Sequence, residues 1–135
     1  MMTQISGKLL SIAEPYASFI RAELKRIETR SRYTAYRGTV IIHASKNLDW
    51  FASAPADLVE KLPRTYYGEA IAIAEIVDCK PITSDFAATL PETELRAGIY
   101  TPGRYAWILD NIRPIDPVAM RGCPFMIDTV IDIPA

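Results

Sequence analysis

Lys25, Glu28 and Arg30, with Ser31 beside them, form the first arrangement in this chain whose residue types and spacing suit chemistry. On an extended segment Glu28 and Arg30 point to the same side, because successive strand residues alternate faces. Read functionally, the group is the polar floor of a cleft. Lys25 and Arg30 would meet phosphate or a base edge, and Glu28 would orient them or accept a hydrogen bond from a base amino group. The plainer alternative is a surface ion-pair cluster, which contributes little to stability. A carboxylate between two cations keeps its charge, so the trio suits binding better than proton transfer unless burial intervenes.

A second arrangement is His43, Ser45 and Lys46. Two residues apart on a strand, His43 and Ser45 share a face but stand too far apart for the hydrogen bond that a nucleophilic serine needs from its base. No Ser–His hydrolase is expected from them. His43 is instead a candidate to bond or stack on a ligand, and Lys46 to meet phosphate. Tyr33, Tyr36, Tyr105 and Trp107 are aromatics near this basic stretch; a stacked base contributes ~1–3 kcal/mol. Tyr36 is the contact candidate among them and Trp107 a core residue. One histidine, no clustered cysteines and scattered carboxylates offer no metal set, and no cofactor is implied.

Charge is unevenly spread. Residues 21–46 hold seven Lys/Arg (Arg21, Lys25, Arg26, Arg30, Arg32, Arg37, Lys46) against Glu23 and Glu28, a local +5, so the rest of a chain of net charge −1 carries −6. An overall charge this small argues against coating duplex DNA, which neutralises many phosphates. It is compatible with a short nucleic acid or a nucleotide in one basic cleft. The 135 residues, half of them hydrophobic, fit one domain spanning residues 1–135. Cys79 and Cys123 belong to no C-x-x-C pair and read as reduced core or edge residues. The start MMTQISGK lacks a secretory pattern, and no apolar run reaches membrane length. A cytoplasmic protein without membrane partners is the expectation.

The elements that must position these residues follow from patterning. Residues 8–12 read as a strand, and Pro15 suits the first turn of a helix that ends near Lys25, with Tyr16, Phe19, Ile20 and Leu24 on its apolar stripe. Ser18, Arg21 and Lys25 fall on its polar side, and Glu14 sits near the positive end of its dipole. Residues 27–30 alternate as a short strand, 31–37 as a loop, and 39–45 as a central strand ending at a mouth. Residues 47–62 read as a helical or irregular excursion with Asp49 as cap, and 69–79 as the longest strand, carrying Glu75 on its bulky face. Short helical pieces follow over 82–98, a loop over 98–103, a strand from Tyr105 to about Asp110, and an edge strand in the tail. Strands interrupted by helices give an α+β domain on a closed or nearly closed mixed β-barrel.

The order LLSIAEPYASFI, LKRIETRS, YRGTVIIHASK, GEAIAIAEIVDC and YAWILDNIRP resembles the ASCH domain (activating signal cointegrator homology), a relative of the PUA RNA-binding barrel. The likeness covers residues 9–117, with Leu24 where the family commonly has glycine. It implies a PUA-like mixed β-barrel with inserted helices, and a module that binds RNA or a nucleotide through Lys25, Glu28, Arg30, Ser31, Tyr36, His43, Ser45 and Lys46. The resemblance also implies an alternative. Some ASCH-like bacterial proteins are amidohydrolases that release acetate from acetylated cytidine, using a lysine matching Lys25, a threonine three residues later and a later glutamate. Glu28 occupies that threonine's place here, and Glu75 is not assigned to the glutamate's role. Lys25 and Glu28 are the catalytic candidates if the chain is an enzyme, and ribonuclease activity is the other enzymatic form of the family.

Overall fold

The computed structural model describes residues 1–134, apart from the side chains of residues 47–49. Asp49, the expected helix cap, therefore lies outside the described side chains. The described residues form six strands, four short α-helices and one 3-10 turn (Phe51–Ser53), in the order β1 (Met2–Glu14), α1 (Tyr16–Arg21), β2 (Ile27–Arg30), β3 (Gly38–Asp49), the 3-10 turn, α2 (Ala56–Val59), β4 (Glu69–Pro81), α3 (Ser84–Ala88), α4 (Glu92–Arg96), β5 (Tyr105–Ala119) and β6 (Ile127–Pro134). They make one mixed sheet in the order β2-β5-β4-β3-β1-β6. Only β1 and β3 run parallel, with Ser11 opposite His43.

The α+β class stands, but the sheet is not a closed barrel. Its ends are β2, which pairs only with β5, and β6, which pairs only with β1. Register shifts interrupt its ladders at Ile12/Glu14, Ile42/His43, Ala70/Ala72, Ile73/Glu75 and Ile76/Asp78, and bulges of this kind bend a sheet. The curl brings the β2 edge back toward β1, where the Arg30 guanidinium donates to the Ser11 carbonyl at 3.0 Å. A side chain spans the seam where a barrel would have a backbone ladder.

Strand boundaries run past the sequence expectations at both ends. β1 begins at Met2 because its first half pairs with β6, a partner that no local pattern reveals. β5 continues to Ala119 through Pro114, with Asn111 at φ 50 and repeated bulges against β4. Prolines and a left-handed residue look like strand ends in sequence, yet a bulged strand accommodates them. α1 stops at Arg21, earlier than expected, and Glu23 at φ 58 turns the chain so that Lys25 follows in an irregular link. Ser18, placed on the polar side in sequence, is buried.

The main core joins Leu10, Ile12, Ile20, Val40, Ile42, Ile71, Ile76, Trp107 and Leu109 between the inner sheet face and α1. Glu14 lies within it, fully buried, accepting from the Ser18 N–H at 2.8 Å, the Ser18 hydroxyl at 2.5 Å and the Tyr66 N–H at 2.7 Å. One carboxylate thus fastens α1 and the approach to β4 onto the end of β1. Replacing it would strand two buried backbone donors, each costing about 1–3 kcal/mol. Glu14→Ala is expected to lower unfolding free energy by about 3 kcal/mol in urea titration; a change within error would show these bonds to be energetically idle.

Candidate ligand groove

Glu28 stands between the two cations Lys25 and Arg30. Its Oε2 accepts from Nε and from an Nη of Arg30, both at 2.9 Å, and its Oε1 is 3.8 Å from Lys25 Nζ. β2 presents Glu28 and Arg30 on one face, as the alternation requires. Lys25 is 1 % exposed and donates to the Ala97 carbonyl at 2.8 Å, with Nζ 5.8 Å from the centre of the Tyr16 ring. Burial lowers its pKa below the ordinary 10.5; the Glu28 and Glu94 charges oppose this, while Arg30 and Arg104 reinforce it. The neighbouring carboxylate does not keep this lysine at its usual value, because desolvation dominates.

Three hollows open along the seam. One of about 220 Å³ is lined by Tyr16, Lys25, Glu28, Thr29, Trp50 and Arg104, among others. A second, of about 880 Å³, is lined by His43, Ser45, Lys46, Tyr67, Arg121 and Gly122. The third, of about 270 Å³, is lined by Arg32, Tyr33, Trp107, Phe125 and Met126. Ser11 and Arg30 line all three, so the hollows meet at the side chain that bridges the seam. Lys25 lines the hollow of about 220 Å³ and Ser45 and Lys46 that of about 880 Å³, and the two linings have Ser11 and Arg30 in common.

Not every expected residue reaches it. Ser31 is exposed and lines none of the three hollows. Tyr36 turns inward: its hydroxyl donates to the Thr39 carbonyl at 2.6 Å and Lys8 covers its ring, so it is a structural residue. Glu75 accepts from Asn111 Nδ2 at 3.2 Å, away from the groove. Trp107 is 4 % exposed and belongs to the core, although Arg30 stacks over its ring and an edge reaches the third hollow. His43 is 1 % exposed and does not bond Ser45; its ring nitrogens meet Ser11 Oγ at 3.2 Å and the Met120 carbonyl at 2.9 Å.

Sequence reasoning missed Ser11, Trp50, Tyr67, Arg104, Arg121 and Phe125. Ser11 was hidden because only the β1·β3 register sets it opposite His43. Arg121 and Phe125 sit in an irregular link between β5 and β6, and the one signal there was an Arg-Gly pair amid prolines. Arg104 is held by the Ile99 and Thr29 carbonyls at 3.2 and 3.1 Å. Among the described residues no three His, Cys, Asp or Glu are grouped to hold a metal ion, and no helix is long and apolar enough to cross a membrane.

The Lys25 shift makes a testable statement. Its folded pKa lies below the unfolded value of 10.5, so between the two the unfolded chain binds more protons and stability rises with pH. Wild type should gain stability relative to Lys25→Met as pH climbs toward 10.5, read from paired denaturant midpoints. A difference that stays flat across that window would mean that folding leaves the lysine's proton affinity unchanged.

No curated protein matches the chain in sequence. In fold it is similar to the crystal structure of ASCH from Zymomonas mobilis, at 18 % identity and TM-score 0.51, covering 83 % of this chain and 72 % of that one. A single-residue variant of the same Zymomonas mobilis protein gives 17 % identity and TM-score 0.52, covering 83 % and 74 %. The family described as ASCH domain matches residues 10–119. With the mixed sheet, its inserted helices and this match over most of its length, the chain belongs to the ASCH domain family.

Proposed function

We propose that this ASCH domain binds single-stranded RNA, or nucleotides derived from it, along the seam groove. One observation carries the reading: the four exposed aromatics among the described residues, Tyr33, Trp50, Tyr67 and Phe125, all line the three joined hollows. The same linings hold Arg30, Arg32, Lys46, Arg104 and Arg121, and Glu28 is the only carboxylate among them. Exposed rings beside a cationic track are what unstacked bases and their phosphates require.

Arg32, Lys46 and Arg121 have no ion-pair partner among the described residues, which leaves them for phosphate. Fluorescence anisotropy with a labelled single-stranded oligoribonucleotide should show affinity falling linearly with log salt. Replacing those three cations with alanine should flatten the slope by about 2, at roughly 0.7 per lost contact. Trp50→Ala or Phe125→Ala should weaken binding by about 1–3 kcal/mol. Absence of salt-sensitive binding by the unmodified chain refutes the proposal.

A second reading is an amidohydrolase acting on acetylated cytidine. The buried Lys25 of lowered pKa, in a hollow with Glu28 and Thr29, favours it, since such a lysine is a better proton acceptor than a solvated one. Incubation with acetylated cytidine followed by chromatography tests it. Cytidine release that disappears in Lys25→Ala would support catalysis, and no release by the wild-type chain would exclude it.

A further inference from the structure

Ser11 lines all three hollows, and it belongs to a hydrogen-bonded chain separate from the cations and exposed aromatics assigned to RNA. Its Oγ is 3.2 Å from His43 Nδ1, and His43 Nε2 is 2.9 Å from the Met120 carbonyl oxygen. A carbonyl only accepts, so Nε2 carries the proton, and in the neutral ring Nδ1 accepts from the Ser11 hydroxyl. Oγ also accepts from the Cys123 N–H at 3.1 Å. One lone pair of Oγ is left uncommitted. Register explains the meeting: Ser11 and His43 are opposite one another in the parallel β1·β3 pair and leave the sheet on one face. Gly122 covers them closely, since a Cβ there would stand 2.7 Å from His43 Cε1 and 2.8 Å from Ser11 Oγ.

We propose that Ser11 is a nucleophile activated by His43, in a site that hydrolyses carboxylic esters of anionic molecules. The geometry is that of an activated serine: a base within hydrogen-bond reach, itself oriented by a third group, here the Met120 carbonyl. The anionic preference comes from the lining. The hollow of about 880 Å³ that holds Ser11 and His43 also holds Arg30, Lys46 and Arg121, and no carboxylate.

In the first step Oγ bonds to the ester's acyl carbon, and the hydroxyl proton passes to His43 Nδ1. The Met120 carbonyl holds the opposite N–H and stabilises the resulting imidazolium. Arg30, fastened to Ser11's own carbonyl, brings positive charge beside the oxyanion as it forms. The acyl–oxygen bond breaks, and the leaving alkoxide takes the Nδ1 proton to depart as an alcohol. Water then gives a proton to Nδ1 and bonds to the acyl carbon. The bond to Oγ breaks, Oγ recovers the proton, and a carboxylic acid leaves; ester and water have become acid and alcohol with no redox change.

The test uses the full chain. A fluorophosphonate probe should add one label per molecule, mapped to Ser11 by mass spectrometry. Turnover of mono-4-nitrophenyl succinate should exceed that of 4-nitrophenyl acetate by about tenfold in kcat/KM, equivalent to 1.4 kcal/mol. Ser11→Ala should abolish label and turnover, and His43→Gln should slow turnover by ~100-fold or more, each with a native circular dichroism spectrum. Lys46→Ala should raise KM for the succinate ester alone. An unlabelled wild-type chain, or turnover that survives Ser11→Ala, overturns the proposal and leaves the network the sole task of fastening residues 120–123 to the sheet. RNA binding is scored separately on Ser11→Ala, which keeps every cation and aromatic of the groove.

Discussion

The arrangement depends on Arg30 crossing an open seam. Its guanidinium donates to Glu28 on its own strand and to the Ser11 carbonyl on β1, so one planar fork ties together two parts of the sheet that share no ladder there. Arginine suits this role because its donors are fixed in a plane and several can be satisfied at once; a lysine ammonium would meet the partners one at a time. Glu28 offsets the charge locally, and the Trp107 ring lies beneath, with its centre 5.6 Å from the guanidinium carbon. Because the seam is bridged at one point rather than sealed, hollows remain on every side of the bridge.

The two ends of the groove differ in how they hold charge. At the Lys25 end the cation is desolvated, bonded to a carbonyl and placed near a carboxylate, so its electrostatics are strong and set by the protein. At the Lys46 and Arg121 end the cations are exposed and interact through solvent, where salt screens them. The wide end thus presents solvent-exposed charge and the narrow end charge fixed by the protein. Tyr100 adds to the character of the narrow end: burial, then the Glu94 and Glu28 charges, pushes its phenol well above its ordinary value, keeping a neutral proton donor near the carboxylates.

Much of this was legible in the sequence where signals are local. The β2 alternation set Glu28 and Arg30 on one side, residues 27–30 form the strand expected, and of the clustered cations Lys25, Arg30, Arg32 and Lys46 line the hollows while Arg21, Arg26 and Arg37 do not. What stayed hidden depends on partners distant in sequence. The pairing of Ser11 with His43 is a matter of β1·β3 register, and Arg121, Tyr67 and Phe125 arrive on links whose paths no periodicity specifies. The barrel expectation failed for a related reason: closure depends on whether edge strands meet, and a four-residue β2 flanked by a bridging side chain does not extend the ladder. Tyr36 shows the opposite error, since an aromatic beside a basic loop finds a backbone carbonyl more readily than it finds a ligand.

β1 lies between β3, which it meets in parallel, and β6, which supplies its other edge. Ile5 lies opposite Ile131, so the outermost ladder forms only when nearly the whole of this sequence has been made. Until then β1 presents a row of unpaired backbone groups, the kind of edge on which foreign strands nucleate. Pairing at such separation is slow to form. During biosynthesis this edge is therefore open to foreign strands, and residues 127–134, which follow directly on Phe125 and Met126 of the third hollow, act as its cover.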